Sequence, residues 1–162
     1  MNANWRKALS PALKKTRRMA VLGIGSPLNS DDAAGMLLIE NLKERGFDKN
    51  RVLLIAGGSA PENFTGVICG FAPDLLLAID AARLGLKPGQ TALLEEDELC
   101  GAGFSTHMLP FSLMLRYLAI QGLTNTLLLG IEPLSTGFGF DLSPPVRQTL
   151  RELTDFFARE LI

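Results

Sequence analysis

The chain has 162 residues, 47% of them hydrophobic and 20% charged, which suits one domain with a real core and excludes a disordered chain. Its clean apolar runs, such as residues 75–79, are far shorter than a membrane span requires, so no membrane partner is expected. The net charge of −1 hides an asymmetry, because residues 1–18 carry six bases and no acid while the remainder holds 10 bases and 17 acids. The acidic body argues against a nucleic-acid surface. The basic stretch reads as a solvated, loosely ordered extension before the first strand, although it could also be an arm for an acidic partner. No apolar leader precedes the first strand, so a cytoplasmic protein is expected, with Cys69 and Cys100 as reduced thiols.

In chain order, Met19 to Ile24 is a short apolar run that predicts a buried strand. Ala34, Leu38 and Leu42 recur at helical spacing before Gly46. Val52 to Ala56 reads as a second strand, stopped by Gly57 and Gly58. Phe64, Val67, Ile68 and Phe71 give the i, i+3, i+4, i+7 pattern of a helix laid on a sheet, ended by Pro73. Leu75 to Ile79 is a third strand that terminates in Asp80. Thr91 to Leu94 follows after a Gly/Pro linker too short for a parallel crossover, so this strand should be antiparallel and at an edge. Phe111, Met114, Leu115 and Leu118 mark another helix, and Thr126 to Ile131 a fifth strand. Ser143 and Pro144 offer an N-cap and a first-turn proline for a last helix whose apolar face is Val146, Leu150, Leu153 and Phe157. The order β-α-β-α-β-β-α-β-α predicts a three-layer α/β/α sandwich, with a mostly parallel five-stranded sheet and one antiparallel edge strand.

Sites in open α/β sheets form beyond the carboxyl ends of the strands. Gly23-Ile24-Gly25 hints at a dinucleotide loop, but the third glycine position is Leu28 and no acid closes the second strand. There is no Walker lysine, no H-E-x-x-H and no G-x-S-x-G. What these loops do hold is the Asp31–Asp32 pair, Asp80, and His107, the sole histidine. Each has an ordinary reading: a carboxylate at a helix start, a turn residue, a local hydrogen-bonding partner. One member of the Asp31–Asp32 pair is expected to be such a cap. Together, an aspartate of that pair, Asp80 and His107 come from three separate loops and suit a divalent metal such as zinc or nickel. With so few ligands, the site should bind weakly unless a partner already holds the metal.

Several motifs carry a family likeness. G-S-P-L-N-S-D-D-A-A-G (25–35), G-G-S-A-P-E-N (57–63), L-L-A-I-D-A (76–81), S-T-H-M-L-P (105–110) and L-L-G-I-E-P (128–133) together resemble the hydrogenase maturation endopeptidases, the second in the form of the hydrogenase 3 (formate hydrogenlyase) branch. The family usually has asparagine where Ser26 stands and glycine where Ala33 stands. The likeness spans residue 19 to the end, leaving 1–18 as a basic N-terminal extension and 19–162 as a single protease domain. It implies an α/β/α sandwich that removes a C-terminal peptide from the large-subunit precursor of a nickel–iron hydrogenase after nickel insertion. It also implies that Asp32, Asp80 and His107 are both the catalytic and the metal-binding residues, and that the substrate brings the nickel. Asp31, Glu62 and Asn63 are further candidates for orienting ligands or backbone. The enzyme is expected to act as a monomer. Two other readings remain: a small-molecule hydrolase with a tightly bound metal, and a non-catalytic module that senses nickel loading of a partner.

Overall fold

The computed structural model describes residues 4–95, 108–139 and 141–161. Five strands, β1 (Met19–Ile24), β2 (Val52–Gly58), β3 (Leu75–Ala81), β4 (Thr91–Glu95) and β5 (Thr126–Ile131), form one sheet in the order β2-β1-β3-β5-β4. β1 pairs in parallel with β2 and β3, and β3 with β5, whereas β4 lies antiparallel to β5 at the edge. The expected sheet is therefore the observed one. β1 and β3 are buried along their whole length, as the unbroken apolar runs require of strands covered on both faces.

The helices are α1 (Trp5–Lys15), α2 (Ala34–Arg45), α3 (Thr65–Phe71), α4 (Met108–Ile120) and α5 (Pro144–Leu161). Alternation along the strands divides the core. Val21, Leu77 and Leu129 pack with α1, α2 and α5. Ala20, Leu76 and Leu128 pack with α3 and α4. Single turns of 3-10 helix, Ser30–Ala33 and Pro61–Phe64, precede α2 and α3.

From Trp5 on, the basic extension is not a loose arm. It forms α1, whose Trp5, Leu9 and Leu13 are buried in the same core as α2 and α5. Trp5 meets Phe156 edge-on, with ring centroids 4.9 Å apart. Arg6 lies 3.0 Å from Glu152, and Ser10 donates to Glu160 at 2.8 Å. The acidic partner of the basic segment thus includes the chain's own last helix. The apolar i, i+4, i+8 set Trp5, Leu9 and Leu13 is what the charge count obscured.

Strands β2 and β3 run further than their apolar cores. β2 continues through Gly57 and Gly58, and β3 through Asp80 to Ala81, with Asp80 paired to Gly130 of β5. Asp80 is therefore inside a central strand rather than in a turn after it. The chain leaves β1 for β2 on one side and passes to β3 on the other, so the carboxyl ends of β1 and β3 flank the topological switch point of the sheet. Among the described residues, no helix is long and apolar enough to cross a membrane.

Candidate active site

Two glycines bring the loop after β1 onto the switch point. At Gly25, φ is +122°, and a Cβ there would collide with the carbonyl oxygen of Asp32. At Gly35, in the first turn of α2, a Cβ would collide with the carbonyl oxygens of Ile79 and Ile24. The helix start can therefore lie directly on the backbones of β1 and β3, and Asp32 comes down beside Asp80.

Asp32 is 7% exposed, and its Oδ2 accepts the backbone N–H of Ser26 at 2.7 Å. Ser26 contributes its main chain here, so serine in place of the family's asparagine leaves this contact unchanged. Asp80 is 1% exposed, and neither carboxyl oxygen has a hydrogen-bond partner among the described residues. Its pKa is raised from 3.8 to about 7, first by burial and then by the Asp32 charge; the Ala81 N–H opposes this weakly, without the alignment of a hydrogen bond. A buried carboxyl with empty lone pairs beside a second carboxylate costs stability, and such strain gathers where chemistry is done. The oxygen donors suit a divalent cation, and a cation would relieve both the desolvation and the repulsion.

Asp31 behaves differently. It was expected to cap a helix, but it makes no side-chain cap in the 3-10 turn. Fully buried, it accepts the N–H groups of Leu134 (2.8 Å), Ser135 (3.1 Å) and Ser143 (2.7 Å), and the hydroxyl of Ser143 at 2.8 Å. The expected cap of α5, Ser143, thus has its hydroxyl engaged as a donor to Asp31. Asp31 fastens Leu134, Ser135 and Ser143 of the β5–α5 loop to the turn before α2.

The family model for hydrogenase maturation proteases matches residues 36–160, a span that begins just after Asp32. The hydrogenase 3 maturation protease of Escherichia coli K12 is 31% identical over 131 residues, covering 80% of this chain and 82% of that one. The crystal structure of a NiFe hydrogenase maturation protease from Thermococcus kodakarensis superposes with a TM-score of 0.85 at 31% identity, over 95% of this chain and 98% of that one. The solution structure of the E. coli endopeptidase HycI gives 0.74 at 27% identity, over 85% and 87%.

The chain belongs to the hydrogenase maturation protease family.

As a member of that family the protease is a peptide hydrolase, and neither a bare binding module nor a small-molecule hydrolase is favoured. Of the three residues singled out as metal ligands, the fold brings Asp32 and Asp80 together, and His107 lies outside the described residues. Among the described residues, no group of three ligand-type side chains gathers. Glu62 and Asn63 are exposed on the turn after β2, and no hydrogen bond joins them to either aspartate among the described residues. Sequence reasoning missed Glu132 of the L-L-G-I-E-P motif. It is 6% exposed and accepts the N–H groups of Leu84 (2.6 Å) and Leu86 (3.1 Å), pinning the β3–β4 loop. An acid immediately after a buried strand was the available signal.

Proposed function

We propose that this protease removes a C-terminal peptide from the nickel-loaded large-subunit precursor of a nickel–iron hydrogenase of the hydrogenase 3 type, with Asp32, Asp80 and His107 engaging nickel that the substrate carries. The observation that supports this best is Asp80, a carboxyl buried in the central strand, with both oxygens unpartnered among the described residues and Asp32 beside it. Strand alternation places Asp80 on the face of Leu76 and Ala78, the face covered by α3 and α4, and His107 directly precedes α4 in sequence. The site is of the metal-binding type, and the metal is cargo of the substrate rather than a resident cofactor. Nickel held there would fix the tail to be cut and could polarise the scissile carbonyl.

The chain's own residues set the rest. The Ser26 N–H orients Asp32, and the clamp at Asp31 holds the neighbouring turn still. The Asp32–Asp80 coupling also supports a second reading, the aspartic type, in which the two carboxyls share a proton and serve peptide hydrolysis as acid and base. We place the enzyme in the cytoplasm as a monomer, without nucleic-acid or membrane partners. The test is to incubate it with nickel-loaded and nickel-free precursor and follow the mass of the large subunit. Loss of the tail is expected only with nickel. His107→Ala and Asp80→Asn should each lower the rate by at least ~100-fold without unfolding. Full activity in His107→Ala would overturn nickel recognition by this triad, and equal cleavage of nickel-free precursor would leave the aspartic reading.

A further inference from the structure

Three large apolar side chains stand in solvent around the switch point: Leu28 (62% exposed), Leu134 (55%) and Phe138 (74%). They come from the two loops that Asp31 joins. The Gly139 N–H donates to the Leu28 carbonyl at 2.9 Å, Asp31 N–H to the Ser135 carbonyl at 3.1 Å, and the Ser30 hydroxyl to the Asp141 carbonyl at 3.0 Å. With the four bonds onto the Asp31 carboxylate, this fixes both loops against each other. Loose loops could fold such side chains inward. These are held out by a buried, saturated carboxylate, so their exposure is built in rather than incidental.

We propose that Leu28, Leu134 and Phe138 form a docking rim for an uncharged, apolar stretch of the precursor polypeptide beside the bond to be cut. The occupant follows from three facts. The protein is a peptide hydrolase, so a polypeptide must lie across its reacting groups. The loop that carries Leu28 also carries Asp32, one residue beyond the Asp31 clamp. Residues 26–30 and 133–139 contain no ionisable side chain, so the rim itself presents no charge to a charged segment. The proposal rests on the proposed function, which supplies the identity of the polypeptide.

A second apolar set, Leu113, Tyr117 and Ile120, lies at i, i+4, i+7 on the outer side of α4 and provides the control. Steady-state processing of nickel-loaded precursor should show KM raised roughly tenfold in Phe138→Ser, with kcat within about twofold. Phe138→Leu should recover most of the loss, and Ile120→Ser should behave as wild type. Because Phe138 is exposed, an unchanged melting temperature certifies the fold. A photo-crosslinker at position 138 should capture the precursor's C-terminal region, with or without turnover. An unchanged KM in Phe138→Ser, a rise in KM for Ile120→Ser instead, or crosslinking of the protease only to itself would each overturn the rim. Crosslinking to the tail by an enzyme that cuts nothing would overturn the proposed function and leave the rim standing.

Discussion

Asp31 and Asp80 are both buried carboxylates beside the same switch point, yet among the described residues Asp31 accepts four hydrogen bonds and Asp80 accepts none. The first has the surroundings of a structural anion: N–H groups from a loop turn toward it and a serine hydroxyl completes the set. The second sits in the middle layer of the sheet, where the ladder to Gly130 occupies the backbone and a like charge faces it. The difference separates two uses of burial. Desolvation stiffens a carboxylate whose partners are complete, and destabilises one whose partners are missing until a cation or a proton arrives.

The largest expected effect is on the Asp31 side. Asp31→Ala orphans the buried N–H and hydroxyl of Ser143 and releases residues 134–143. A helix cap would contribute about 1 kcal/mol, whereas this clamp should cost about 4 kcal/mol, a large part of an ordinary domain's stability. Urea unfolding at neutral pH measures it. A loss near 1 kcal/mol would mean that water replaces the carboxylate, and the contrast with Asp80 would weaken accordingly.

This clamp marks where sequence reading stops. The sheet was legible because parallel strands covered on both faces, as β1 and β3 are, read as apolar runs, and the linker before β4 was too short for a crossover. The site's neighbourhood was legible because the loop after β1, which carries Asp32, and the carboxyl end of β3, which carries Asp80, meet at the switch point of such a sheet. The partners of Asp31 were not, because Leu134, Ser135 and Ser143 stand more than 100 residues away and no local pattern announces them. Nor did spacing alone say which of two adjacent aspartates faces Asp80. The basic count of residues 1–18 concealed α1 for a related reason: three apolar residues at helical spacing carry the docking, and six charges dominate the composition.

The second effect tests that docking. Trp5→Ala removes a side chain 3% exposed, packed on Phe156, and should cost about 3 kcal/mol. Arg6→Ala is the companion, since its pair with Glu152 is half exposed on both sides and should matter by less than 1 kcal/mol. Thermal melts of both variants check the order. Equal, small losses would show that α1 is held by charge and frays readily. Neither change should alter precursor processing, because α1 lies against α5 and β4, away from Asp32 and Asp80.

The third effect has the opposite sign. A carboxyl whose folded pKa is raised from 3.8 to about 7 binds more protons in the native state than in the unfolded chain across that window. Stability of the metal-free protein should therefore be full below about pH 4 and fall as pH rises toward about 7, where the buried group must ionise beside Asp32. Asparagine keeps the shape of Asp80 and cannot ionise. Asp80→Asn should match the wild type near pH 3 and exceed it by about 2 kcal/mol at pH 8, within the ceiling of about 4 kcal/mol that three pKa units allow. Urea midpoints for both proteins, in chelator and across that range, give the difference directly. A gap that stays flat with pH would mean that Asp80 is solvated or paired in solution, and the contrast with Asp31 would collapse. A gap that opens as stated, in a variant that no longer processes precursor, would identify a residue retained for chemistry at the expense of the fold.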